Sequence, residues 1–239
     1  MKLDLLAIGV HPDDVELSCS GTLLHHIALG KKVGLLDLSK GELGTRGSAY
    51  IRTQEAMKSM KKMGALVREQ LDLQDGFFTH NEESLRAIIH IIRKYQPELV
   101  LCNALEDRHP DHARSAKLVS DACFYTGLAK IETIDNTGES QKPWRPKAVY
   151  HYIQDRYSKP DFVINITTYI DQKLELILTY KTQFYDPHST DPVTPISGQD
   201  FLESVKGKDS VMGRAISVSF AEGFNVDRTP GVKNLFDLY

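Results

Sequence analysis

Short apolar runs alternate with amphipathic stretches along the first 125 residues. Leu3–Val10 is almost wholly apolar and short, which predicts a buried strand. Asp14–Leu29 carries Val15, Leu17, Leu23, Leu24 and Ile27 and closes at Gly30, which predicts a helix. Lys32–Leu38 predicts a second strand, and the glycine-rich GELGTRG segment after it a loop. Ile51–Met63 predicts a helix stopped by Gly64, and Val67–Leu73 a third, more charged strand. Thr79 followed by Glu82 has the form of a capping box, opening a helix to about Tyr95 that Pro97 breaks. Leu99–Asn103 predicts a fourth strand and Asp111–Tyr125 another helix.

Strands alternating with helices predict an α/β fold with a parallel sheet and right-handed crossovers. The simplest arrangement is a Rossmann-like open, mostly parallel sheet with helices on both faces, its first strands in the order 3-2-1-4. Cover on both faces accounts for strands 1 and 4 being apolar throughout. The second half is less regular. Asp135–Pro146 reads as a loop, Ala148–Ile153 and Asp161–Ile166 as strands, and Thr168–Tyr180 as a helix. Asp186–Gly198 holds three prolines and reads as a long loop of the kind that serves as a lid or binding loop. A helix at Gln199–Arg214 and a terminal segment Ala215–Asn225 follow. No repeat, low-complexity tract or domain boundary is visible, so residues 1–239 read as one domain.

Composition narrows the class. With 239 residues, 41% hydrophobic and 26% charged, the chain can bury a core that needs no disulfides. Lys plus Arg is 29 against 32 Asp plus Glu, so no basic excess points to nucleic acid. Cys19, Cys102 and Cys123 form no CxxC pair, which fits a reducing, cytoplasmic compartment. Leu5–Val10 is too short to span a bilayer and runs into HPDD, so it reads as a strand and not a signal peptide. No basic amphipathic segment suggests a membrane partner. The glycines at 41, 44 and 47 do not form a dinucleotide fingerprint.

Two histidine–aspartate motifs carry the chemistry. His11-Pro12-Asp13-Asp14 follows strand 1, and Arg108-His109-Pro110-Asp111-His112 follows strand 4. In the order 3-2-1-4 these strands are neighbours whose connections leave in opposite directions, the switch point where open α/β sheets bind ligands. Imidazole and carboxylate are zinc ligands, and a catalytic zinc takes three of them and leaves a position for water. His11, Asp14 and His112 can supply that set, with Asp13 as general base. His109 can stabilise an oxyanion or protonate a leaving amine, and Asp111 can hold its ring in one tautomer and favour the imidazolium. The structural alternative is that Asp13 or Asp14 merely caps the helix that begins there.

The motifs together resemble the LmbE-like (PIG-L) family of zinc-dependent N-deacetylases. The likeness extends through DLLAIGVHPDDVE, GELGTRG with the following RTQEA, DRHPDH, PDFVINIT, YKTQF and AEGF, and is greatest to the bacillithiol-biosynthesis branch acting on N-acetylglucosaminyl-malate. It is patchy over 126–150 and 184–212. The resemblance implies removal of an acetyl group from an N-acetylglucosamine conjugate. It implies one Zn2+ per chain on His11, Asp14 and His112, with Asp13 as base and His109, paired with Asp111, stabilising the transition state. It places Arg52 and Asp75 on the substrate sugar, where the structural alternatives are a helical pair with Glu55 and a turn at Asp75-Gly76. Arg46 and Arg108 are further candidates for the carboxylates of malate. A homo-oligomer, trimer or hexamer, is also implied. Competing readings are deacetylation of another sugar conjugate, another metal hydrolase such as a phosphoesterase, or a zinc-binding module without catalysis.

Overall fold

The computed structural model describes residues 1–238. Its sheet has seven strands in the order β3-β2-β1-β4-β5-β7-β6. β1 (Leu5–Gly9), β2 (Val33–Asp37), β3 (Val67–Gln70), β4 (Leu99–Cys102) and β5 (Ala148–Tyr152) are mutually parallel. The expected 3-2-1-4 beginning and mostly parallel sheet are therefore present. In β1, Ala7 faces Leu35 of β2 on one side and Leu101 of β4 on the other.

The alternation of side chains along a strand sorts β1 into two cores. Leu6 and Ile8 pack with Ile88 and Ile92 of α4 (Glu82–Tyr95) and Leu118 and Val119 of α5 (Pro110–Tyr125). Leu5 and Ala7 pack on the opposite face with Val15, Leu23 and Leu176. A strand buried on both faces has no polar side, so its sequence is an apolar run.

Three local expectations change. The single helix expected over Asp14–Leu29 is two, α1 (Asp14–Ser18) and α2 (Ser20–Ala28), parted at Cys19. The cause lies 200 residues away: the buried carboxylate of Glu222 accepts from Gly21 N at 3.0 Å and Thr22 N at 2.7 Å. Only a new helix start leaves those N–H groups free. Gly21 is required there because a Cβ would lie 2.8 Å from Ile166. The second change is at α4, which is capped by Asn81 accepting from Ser84 N at 2.9 Å, not by Thr79. Third, the terminal segment contains β7 (Ala221–Val226), which pairs antiparallel with both β5 and β6 (Phe162–Asn165).

α3 (Ala49–Met63) ends at Gly64 with φ 86°, as expected of a glycine stop. α6 (Ile170–Ile177) and α7 (Gln199–Arg214) complete the cover, joined by Lys173 Nζ, which donates to Asp209 at 2.7 Å and to Glu222 at 2.8 Å in a fully buried triad. Among the described residues no helix is long and apolar enough to cross a membrane.

Candidate active site

Both motifs emerge at the carboxyl ends of β1 and β4. After β1 the chain turns through Asp13, whose φ of 126° is left-handed territory that a residue with a Cβ enters at a cost of about 1–3 kcal/mol. That conformation sends the two carboxylates apart. Asp14 turns back over its own loop, where Oδ2 accepts from Val10 N at 2.9 Å and His11 N at 3.0 Å. Asn103, just past β4, donates to the same oxygen at 2.9 Å, and Gln154, just past β5, donates to Oδ1 at 3.2 Å. Asp13 makes no capping bond to α1, so the structural alternative for it fails. Its Oδ2 instead accepts from Arg52 at 2.7 Å.

The three expected ligands are neighbours, with different oxygens of Asp14 facing the two rings. His112 Nε2 is 3.1 Å from Asp14 Oδ1, and His11 Nδ1 is 3.7 Å from Asp14 Oδ2. His109 joins them, its ring centre 4.7 Å from that of His11 and 5.1 Å from that of His112. Among the described residues, two sets bring their donor atoms within 4.8 Å of one another: His11, His109 and His112, and His11, Asp75 and Asp111. Each imidazole beside Asp14 has its other nitrogen on a second carboxylate. His11 Nε2 donates to Asp75 Oδ1 at 2.9 Å, and His112 Nδ1 to Asp107 Oδ2. Such backing fixes the tautomer and ring orientation of a metal-binding histidine.

The electrostatics suit a cation. Burial normally strips the proton from an imidazole. Here burial is outweighed: Asp111, Asp14 and Asp75 hold His11 well above its usual range, and Asp14 and Asp107 lift His112 to about 9. The centre thus stabilises positive charge away from water. Its nitrogen and oxygen donors suit zinc and neighbouring divalent metals, whose binding would release those protons. Burial pushes Asp13 up to about 6 against the opposing pull of Arg52.

The other expected residues have hydrogen-bond partners of their own. Arg52 borders the cavity, but its guanidinium braces the motif loop, donating from Nε to Pro12 O at 3.1 Å as well as to Asp13. Asp75 also borders it, with Oδ2 accepting from Leu43 N at 3.0 Å while Oδ1 holds His11. Asp111 does not pair with the His109 ring. Its carboxylate accepts from Gly76 N at 2.8 Å and Arg114 at 2.9 Å, and only its backbone N–H reaches His109 Nδ1, at 3.3 Å. Because His109 Nδ1 accepts the Asp111 N–H, the ring carries its proton on Nε2 and not the two protons of the expected imidazolium, and burial with the charges of His11 and His112 lowers its pKa.

Sequence reading missed Asp107, Asn103 and Gln154. Asp107 opens the DRHPDH motif and was legible as an acid within reach of His112; the other two gave no local signal. The centre lies on the wall of a cavity of about 460 Å³ whose lining also includes Ile196, Phe201 and Val205. His188 of the proline-rich loop is not among its lining residues; Thr194, Pro195 and Ile196 of that loop are.

A family model described as PIG-L, GlcNAc-PI de-N-acetylase, matches residues 6–123, the span that holds both motifs. The chain belongs to the PIG-L family. A conserved protein of Thermus thermophilus superposes with a TM-score of 0.84 at 30% identity, covering 97% of each chain. Diacetylchitobiose deacetylase of Thermococcus kodakarensis is 27% identical over 190 residues, 75% of this chain and 70% of the relative. A 4-oxalmesaconate hydratase of Pseudomonas putida is 25% identical over 166 residues, 59% of this chain and 64% of the relative. Proteins similar to this chain thus bear the names of more than one reaction, and its activity must be argued from its own site.

Proposed function

We propose that this PIG-L protein is a metal-dependent N-deacetylase that hydrolyses the acetamide of an N-acetylglucosamine conjugate, with zinc as its metal and N-acetylglucosaminyl-malate as its substrate. The observation that carries the reading is the separation of roles between adjacent carboxylates. Asp14 faces both His11 and His112, while Asp13, outside that set, borders the same cavity. A purely structural metal site would be closed by four ligands and would have no use for the second acid.

His11, Asp14 and His112 would hold the ion. When bound, it polarises the acetyl carbonyl and acidifies the attacking water. Asp13 accepts the proton of that water, and Arg52 fixes the carboxylate's direction and favours its ionised form. His109 donates its Nε2–H to the oxyanion developing on the acetyl carbon, as a neutral donor set in place beforehand. Asp13, now a carboxylic acid, returns its proton to the departing amine, because the single His109 proton is engaged with the oxyanion. The products are acetate and a free glucosamine amine. Cys19, Cys102 and Cys123 are buried and unpaired, which supports work in a reducing cytoplasm. The same reading includes a homo-oligomer, to be checked by light scattering.

The test is release of free amine from N-acetylglucosaminyl-malate by the zinc-loaded protein, with a chelated control. Chelator-sensitive release is the expected result. No release from this or any other N-acetylated sugar, with metal still bound, overturns the proposal and turns attention to hydration of an unsaturated acid.

A further inference from the structure

We propose that His151 is a positioning residue of the metal centre, acting on Asp14 through Asn103. The inference rests on the proposed donor set of His11, Asp14 and His112 and is independent of the substrate.

His151 lies on β5, is 0% exposed and is not among the residues lining the cavity. An imidazole buried that deeply is costly unless both nitrogens are engaged. Nδ1 is 2.9 Å from Asn103 O and 3.3 Å from Cys102 Sγ. A carbonyl oxygen only accepts, so Nδ1 carries a proton and donates to it. Cys102 is the register partner of His151, so the ring reaches the carbonyl just past the last paired residue of β4. There the chain sets out towards the second motif.

The side chain on that residue joins the parts of the centre. Asn103 is fully buried and uses all the bonds that an amide can make. Its Oδ1 accepts from Val10 N at 3.1 Å and Ser115 Oγ at 2.8 Å, and its Nδ2 donates to Asp14 Oδ2 at 2.9 Å and Gln154 Oε1 at 3.0 Å. Val10 N can only donate, which fixes the two ends of the amide. One side chain thus links the loop of the first motif, the helix of the second and the loop after β5. An asparagine amide stands only two bonds from its Cα, so a shift of the Asn103 backbone turns the N–H that aims Asp14. His151 holds the near end of this connection and Asp14 lies at the far end.

The second ring nitrogen faces away from the centre. Nε2 is 3.3 Å from Ser120 Oγ and 3.4 Å from Asp227 Oδ2, and Ser120 donates to Asp227 at 3.0 Å. Nδ1 therefore serves the metal side, and Nε2 joins α5 to the chain that follows β7.

Two amide substitutions separate these roles. Asn places an N–H donor where Nδ1 stands and nothing at Nε2, whereas Gln places its donor at Nε2 and nothing at Nδ1. Zinc affinity is measured by chelator competition on the wild type, His151→Asn, His151→Gln and Asp14→Ala, and the melting temperature of each metal-free protein reports on the fold. His151→Asn should keep zinc affinity within about threefold of the wild type, while His151→Gln should weaken it about 10-fold or more. Asp227→Asn, which touches only the Nε2 side, should lower the melting temperature without changing affinity. Wild-type affinity in His151→Gln, or equal weakening by Asn and Gln, overturns the positioning role. Unchanged affinity in Asp14→Ala overturns the donor set and the inference with it. Failure of the deacetylase reading shows instead as tight zinc binding without amine release, and leaves the comparison of Asn with Gln standing.

Discussion

At Asp13 backbone and side chain make opposite demands. A left-handed conformation is unfavourable for aspartate, yet it lets adjacent carboxylates serve different partners, Asp14 the two imidazoles and Asp13 the guanidinium of Arg52. Replacing Asp13 by Asn keeps the shape and the metal donors but removes the proton acceptor. Turnover should fall by about 10²- to 10⁴-fold while metal content, measured by atomic absorption, stays at that of the wild type. Asp107→Asn acts on His112 from behind and should weaken metal binding by about 10- to 100-fold in chelator competition. The HPDD and HPDH residues were legible because each motif is contiguous and follows a strand. Asn103 and Gln154 were not, because they reach Asp14 across 89 and 140 positions of sequence. Arg52 and Asp75 were singled out by position, but the sequence did not show that their polar atoms are engaged by Asp13 and His11.

Among the elements, the helices and strands of the first half follow from periodicity, helped in α3 by its stop at Gly64. The break between α1 and α2 does not, because its cause is a carboxylate on β7. That carboxylate belongs to the buried triad of Lys173, Asp209 and Glu222, which ties α6, α7 and β7 together. Lys173→Met leaves two buried acids without their cation and should destabilise the fold by about 3–5 kcal/mol in chemical denaturation. Burial works against the charge on Lys173, but the two carboxylates outweigh it and hold its pKa well above the ordinary value. Because the folded value is the higher one, the stabilisation is complete at neutral pH. It is lost only as pH rises past the unfolded value of about 10.4 towards the folded one. The alkaline fall in melting temperature should therefore be shallower in Lys173→Met than in the wild type.

At the scale of the molecule, the centre is a junction of segments that meet only in the folded state. Its donors leave β1 and β4, its support comes from the loop after β5, and α7 lines the cavity. A metal bound only by this assembled set stabilises it by mass action, by about 4 kcal/mol when free metal is 1,000-fold above its dissociation constant. In a chain of this length that corresponds to a rise in melting temperature of about 10 °C, abolished by chelator and observable by calorimetry. The parallel half of the sheet was legible, because alternating βα units admit few arrangements. The antiparallel insertion of β7 between β5 and β6 was not, since a strand's neighbours depend on chain that its own pattern does not describe.

The bond from Glu222 to the first turn of α2 has a consequence for the order in which the protein is made. All three proposed metal donors have been translated by residue 112, but the carboxylate that starts the second helix comes 110 residues after the last of them. A nascent chain paused near residue 150 carries both motifs, yet it has neither Gln154 to hold Asp14 nor α7 to wall the cavity. The ribosome thus delivers the chemistry before the means of organising it, so the centre acquires its working geometry only after Gln154, α7 and Glu222 have been made.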